Sequence, residues 1–327
     1  MIQHPAELQT FADYVAIRRA EVDHALDRTL PCPPVCPPLV AEAMRYSLLA
    51  GGKRLRPLMT LAAAESVARA QGTADEASLA EVRALAMPAA CAIEFIHTYS
   101  LVHDDLPAMD DDCMRRGQPS LHMEYGESLA ILASDGLLAE AFALLANEPA
   151  DRGRTDIAER KLRVIGTVGQ AVGAGGMLGG QAIDLAFAGR ISGRGHAAPV
   201  ADAATLQDMH RRKTASLIRA AATAGAIMAG GSTAQVEAVG RFAVDVGLAF
   251  QIIDDILDEE GVSVELGKTA GKDRAAGKPT YPAVHGLAQS RALAHEHVGM
   301  AERALADAGI PDDRLMPIAR WVLARRC

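Results

Sequence analysis

The chain has 327 residues, half of them hydrophobic and 23% charged, which excludes intrinsic disorder and supplies enough apolar surface for a large core. Its formal charge of −8 excludes a broadly basic nucleic-acid surface, while leaving room for Lys and Arg gathered locally around an anionic ligand. Aromatic residues make up only 4%, so the apolar content comes mainly from Ala, Leu, Val and Ile, of which Ala and Leu are strong helix formers.

Residues 1–38 read as an N-terminal helix followed by a Pro-rich connector. Met1 to Glu21 is polar and charged, without the apolar region of a signal peptide. Cys32-Pro-Pro-Val-Cys36 has the look of half a metal clip, but no second Cys/His pair lies nearby, which favours a plain connector in a reducing compartment. Val40, Met44, Leu48 and Leu49 form one stripe at helical spacing. Met87 to Val102 is mainly apolar with Glu94 and His97 embedded, as in a helix buried on most sides. Glu127 to Leu145 and Val236 to Leu257 follow the same pattern. Breakers gather at 31–38, 71–75, 147–155, 189–199 and 261–282. Gly166, Gly169, Gly173, Gly176 and Gly180 recur at steps of three and four; lacking a P-loop ending, they predict a small-residue face for helix packing. No uncharged apolar run approaches ~20 residues. The expectation is a single all-α domain over 1–327, soluble and cytoplasmic, with no stable membrane insertion and no nucleic-acid partner.

The chemistry-bearing residues lie at helix ends. His103-Asp104-Asp105-Leu-Pro-Ala-Met-Asp110-Asp111-Asp112 concentrates five carboxylates, whose mutual repulsion calls for a cation. Mg²⁺ suits such a cluster, since it takes one or two carboxylates together with phosphate oxygens. Phe250-Gln251-Ile-Ile-Asp254-Asp255-Ile-Leu-Asp258 repeats the arrangement, with Asp254 and Asp258 one turn apart on one helical face. Asp104 and Asp110 are six apart, so the helix must end or bend at Leu106, before Pro107, for a loop to return Asp110. A solvated acidic helix end accounts for either cluster alone but less well for two. Basic residues accompany them: Lys53 and Arg56 beside Gly51-Gly52, Arg115-Arg116 just after the first cluster, and Lys268, Lys272 and Lys278 in a Gly-punctuated segment able to close as a lid.

These motifs resemble the trans-prenyltransferases, the isoprenyl diphosphate synthase family, and most closely its bacterial farnesyl diphosphate synthases. The resemblance rests on GGKRLRP, DDLPAMDDDCMRRG, GGQAIDL, HRRKTASLIRAA, FQIIDDILD and LGKTAGKD…GKPTYPAVHG, in family order across residues ~45 to 286. Residues 65–83 and 187–200 match poorly and read as longer loops. The resemblance implies an antiparallel helix bundle around a deep central cavity, usually a homodimer, that condenses isopentenyl diphosphate with dimethylallyl or geranyl diphosphate. It implies about three Mg²⁺ ions held by Asp104, Asp110 and Asp254, with Asp105, Asp255 and Asp258 supporting. Arg115 and Lys213, with Lys268, would grip the allylic diphosphate; Lys53, Arg56, His97 and Arg116 would bind isopentenyl diphosphate, and Lys278 is a further substrate-binding residue. Thr214, Gln251 and Lys213 would stabilise the allylic cation, and His103, His122 and His210 are expected to be structural.

Chain length in this family depends on bulk at the fifth and fourth positions before the first Asp, here Tyr99 and Ser100. An aromatic at Tyr99 implies a C15 product, with geranylgeranyl (C20) or geranyl (C10) synthase as alternatives. A terpene cyclase would not be expected to need Lys53, Arg56 and the second acidic motif. A catalytically silent partner subunit should have lost an acidic motif or the Arg pair.

Overall fold

The computed structural model describes residues 5–73, 75–191, 200–261 and 278–325, with side chains from residue 11 onward. Its frame is helical throughout. In chain order the elements are α1 (Pro5–Thr29), α2 (Pro38–Leu48), α3 (Leu55–Ala70), α4 (Glu76–Asp105), a two-residue hairpin β1 (Met114–Arg115) and β2 (Gln118–Pro119), and α5 (Leu121–Tyr125). There follow α6 (Glu127–Asn147), α7 (Thr155–Val172), α8 (Met177–Phe187), α9 (Ala203–His210), a π-helical turn (Arg211–Ala215) and α10 (Ser216–Met228). The chain ends with α11 (Thr233–Glu259), α12 (Tyr281–His285), α13 (Leu287–Ala306) and α14 (Leu315–Leu323).

Two helices form the hydrophobic axis. Along α4, every residue from Ala89 to Ile96 is buried, and it packs against α3 and α6. α10 is buried from Ala220 to Met228 and wedges among α3, α7 and α11. Many of these buried positions are Ala, so backbones approach closely; at Gly225 an added Cβ would lie 1.9 Å from the Thr60 carbonyl oxygen. The outer helices complete the bundle, with α13 lying along α11.

Helix starts follow local chemistry. Asp75 accepts from the Ser78 N–H at 2.9 Å to cap α4, and Ser232 with Gln235 forms a capping box at α11. These caps correct the expectation of a long loop over 65–83. α3 runs to Ala70 and α4 starts at Glu76, because Ala-rich helix formers outweigh the breakers outside 71–75. Glu65 and Arg83 are buried within those helices and paired to each other at 3.3 Å. Of the second presumed loop, Phe187 closes α8, and residues 192–199 lie outside the described part.

The glycine series also departs from expectation, because Gly173–Gly176 break the helix between α7 and α8. Gly166 and Gly169 have open space where a Cβ would go. Two of the five meet another element's backbone: a Cβ at Gly176 would stand 2.1 Å from the Ala171 carbonyl oxygen of α7, and one at Gly180 2.2 Å from the Lys213 nitrogen. α6 is long and apolar enough to cross a membrane by length and composition, and only a third of that stretch is buried. Its outer flank leaves Ile131 41% and Leu132 61% exposed, with Met123 beside it on α5.

Candidate active site

The first acidic motif forms because α4 runs out of helix. Leu106, before Pro107, takes an extended conformation, and the chain folds back over the α4 terminus. The Asp110 N–H donates to the Asp104 carbonyl at 2.8 Å and the Asp112 N–H to that of Asp105 at 3.1 Å. These donors satisfy carbonyls that a helix end leaves open, and they bring Asp110 back beside Asp104.

Both residues line a cavity of about 380 Å³, of the size that small-ligand sites have. Facing them are Asp254, Gln251 and Phe250 from α11, Lys213 and Thr214 from the π-helical turn, and Gln181 and Asp184 from α8. Lys213 Nζ lies 2.5 Å from Asp184 Oδ2, and Lys278 Nζ lies 3.1 Å from the same oxygen and 3.6 Å from Asp110. Burial works against the Lys213 charge, but Asp104, Asp184 and Asp110 outweigh it and hold the ammonium well above its ordinary pKa. Burial likewise opposes ionisation of Asp184, and the two lysines overcome it to keep its pKa low. Thr214 Oγ1 donates to Gln251 Oε1 at 3.0 Å, and Gln251 Nε2 donates to Asp255 Oδ1 at 3.2 Å. Asp255, 4% exposed, also accepts from the Tyr281 N–H at 3.0 Å. The Thr214 hydroxyl proton is thereby turned away, leaving its oxygen lone pairs for the cavity.

A cationic wall closes one side. Arg56 and His97 line the cavity, and Arg54 and Arg116 stand behind them around Glu94. Burial, with Arg116 nearby, lowers the Arg56 pKa to about 10 despite Glu94 and Asp254, and its Nε has no hydrogen-bond partner among the described residues. Burial first, and then the surrounding arginines, holds His97 well below the ordinary imidazole range and therefore neutral. Such a wall is short of anions. Gly52 makes its geometry possible: a Cβ there would come 2.8 Å from the Arg116 guanidinium carbon, and Arg116 also donates to the Gly51 carbonyl.

The structure gathers Arg56, His97, Tyr99, Ser100, Asp104, Asp110, Lys213, Thr214, Gln251, Asp254 and Lys278 around one cavity. It places Asp105, Arg115 and Arg116 in a small neighbouring cleft instead. Arg115 Nε lies 3.0 Å from both Asp105 carboxylate oxygens, so Asp105, 2% exposed, serves Arg115 where a supporting metal role was expected. Lys53 is exposed, its ammonium 5.6 Å over the Trp321 ring, and Asp258 lies one turn beyond Asp254, outside the cavity lining. Lys268 and Lys272 are outside the described residues, as is most of the presumed lid. Three contributors were not foreseen. Gln181 and Asp184 were visible within GGQAIDL as an amide and an acid one turn apart on an apolar helix. Arg325, which pairs with Asp254, gave no spacing signal.

The donor set fits a divalent cation shared with phosphate. Among the described residues no three His, Cys, Asp or Glu side chains converge to hold a metal alone. Asp104, Asp110 and Asp254 nevertheless face one cavity, as Mg²⁺ requires when a diphosphate supplies the remaining oxygens. The chain is similar to known proteins in both sequence and fold. The family model described as polyprenyl synthetase matches residues 37–308. The large subunit 1 of the heterodimeric geranylgeranyl pyrophosphate synthase of Arabidopsis thaliana chloroplasts is 42% identical over 94% of this chain and 76% of its own length. The apo structure of an FPP/GFPP synthase from Zymomonas mobilis superposes with a TM-score of 0.78 at 32% identity, covering 97% of this chain and all of that one. A geranyltransferase from Helicobacter pylori, complexed with magnesium and isoprenyl diphosphate, gives 0.76 at 26% identity, over 99% and 98% of the two chains.

Proposed function

The chain belongs to the polyprenyl synthetase family and is a prenyltransferase, and from that premise we propose that it is a farnesyl diphosphate synthase. It would join isopentenyl diphosphate to dimethylallyl and then geranyl diphosphate, stopping at C15. The single observation that carries this reading is the Tyr99 ring. It lines the cavity on the same helix as Asp104, five residues deeper, about 7.5 Å at helical rise. His103 packs against it at 4.6 Å between ring centroids, fixing it as a floor under the growing tail.

Each wall then has a task. Arg56 and His97, with Lys53 and Arg116 beside them, would take the diphosphate of the attacking alkene. Lys213 and Lys278, with Arg115 and Lys268, would take the leaving diphosphate. Magnesium, on which the family depends, would be held by Asp104, Asp110 and Asp254 and supplies neutralising charge to the departing diphosphate. The Thr214 and Gln251 oxygens would stabilise the allylic cation as its C–O bond breaks. The carbon–carbon bond forms from the alkene's electron pair, and the released diphosphate accepts the proton that restores the double bond. Apolar neighbours such as Phe250, Met177 and Met109 would keep water from that cation.

Tyr99→Ala is expected to lengthen the main product from C15 to C20, read by chromatography of products made from isopentenyl and geranyl diphosphates. An unchanged product would remove Tyr99 as the floor. A C20 main product from the unaltered protein is the second reading, favoured by the name of the Arabidopsis relative and by the small Ser100 beside Tyr99.

The protein is proposed to act in the cytoplasm as a homodimer; the flank of α6, a third of it buried, favours pairing over membrane insertion, because Asp135, with its side chain 59% exposed, interrupts the apolar surface at mid-helix. Light scattering is expected to give twice the chain mass of 34.4 kDa, and a monomer would refute the pairing.

A further inference from the structure

The carboxylate of Asp254 already has a cation. Arg325, two residues past the end of α14, places its Nη1 in hydrogen-bond contact with Asp254 Oδ1, with the two side chains 7% and 24% exposed. Its guanidinium also lies 4.4 Å from the centroid of the Phe250 ring, one turn earlier on α11. Asp254 and Phe250 both line the cavity, so the arginine reaches the site from outside it and binds two of its walls together. Four residues back, the Trp321 ring lies under the Lys53 ammonium, which ties the same stretch of chain to the cationic side of the site.

A guanidinium does not lose its proton near neutral pH, so it cannot vacate a carboxylate by titrating. It must move. A divalent ion and an arginine in contact with one carboxylate oxygen would repel strongly in a partly buried setting. We propose that Arg325 is a further residue of this site, a built-in counter-ion of Asp254 that competes with divalent metal and swings off Asp254 when metal and diphosphate seat there. This rests on the reading of Asp254 as a metal ligand. The ring of Phe250 gives the displaced guanidinium a face to keep while its contact with the carboxylate opens.

The test is metal binding itself, apart from turnover. Free Mn²⁺ would be followed by electron paramagnetic resonance during titration of the whole protein with inorganic diphosphate present, for wild type, Arg325→Gln and Asp254→Asn. Arg325→Gln is expected to tighten the weakest-bound Mn²⁺ by on the order of tenfold, the size of one charge-assisted hydrogen bond removed from competition. Asp254→Asn is expected to lose one ion. Trp321, the only tryptophan, supplies a second readout. Its emission should shift in the wild type when Mg²⁺ and diphosphate are added together, and should shift little in Arg325→Gln. Unchanged or weaker Mn²⁺ affinity in Arg325→Gln, with an ion lost in Asp254→Asn, overturns the competition and leaves the metal role of Asp254 standing. A full complement of Mn²⁺ in Asp254→Asn overturns both.

Discussion

Asp104→Ala is expected to lower kcat by about three orders of magnitude or more while leaving helical content and the unfolding midpoint close to those of the parent. The carboxylate stands on the last turn of α4, where the folded-back loop sets Asp110 beside it. It faces Lys213 and helps hold that ammonium charged. Without it, the leaving diphosphate loses a point of attachment that Asp110 alone cannot replace. Stability should hardly suffer, because Asp104, Asp110, Asp184 and Asp254 share one cavity and removing one relieves repulsion among the rest. Lys213 keeps its Asp184 partner in any case. Steady-state kinetics with circular dichroism on the same preparation decides the matter. Near-normal turnover would take Asp104 out of the chemistry.

Glu94→Ala should do the opposite, with its main effect on folding. Arg54 and Glu94 are paired at 2.8 Å with side chains 1% and 2% exposed. Removing one partner of a buried pair costs about 3–5 kcal/mol, because the other charge is left without compensation. The lower end applies here, since Arg54 retains Asp23 at 2.8 Å and the Leu48 carbonyl at 2.8 Å. Arg54 also holds a left-handed backbone at φ +50 where α3 begins, so loosening it disturbs the turn that carries Lys53 and Arg56. Chemical denaturation should register a loss of about 3 kcal/mol. Replacing both partners by apolar residues of similar volume should recover much of it. A loss below about 1 kcal/mol in the single variant would show that the pair is worth no more than a surface bridge.

Legibility from sequence tracked how local the cause was. Pro107 acts on the residue before it, so the end of α4 and the return of Asp110 could be read from a short segment. The four-residue step from Asp254 to Asp258 correctly announced a helix, but not that only Asp254 would reach the cavity. That depends on the angle at which α11 meets α9 and α10, which no single segment encodes. Asp105 shows the same limit, since its neighbour in space is Arg115, brought round by the hairpin. The misreading of 65–83 came from treating a poor motif match as irregular structure, although Ala, Glu and Arg sustain helix without any motif. Arg325 was beyond reach, because only the whole bundle carries residue 325 to residue 254.

The π-helical turn at Arg211–Ala215 bears on how this chain can change in length. A turn that is one residue wider than its neighbours acts as an insertion held inside a continuous helix. It lets Met209 and His210 before it, and Lys213 and Thr214 within it, all face one cavity, while the helix beyond stays in register with the core. Losing one residue here would let the segment relax to regular α-helix, but would rotate one side of the break against the other by about 100°. Either the core stripe of α10 or the site-facing residues would then point the wrong way. The same deletion at Gln71 or Gly72 would only shorten an exposed connection after α3. Drift in chain length is therefore open to the loops and closed to these five residues, although they sit within a helix.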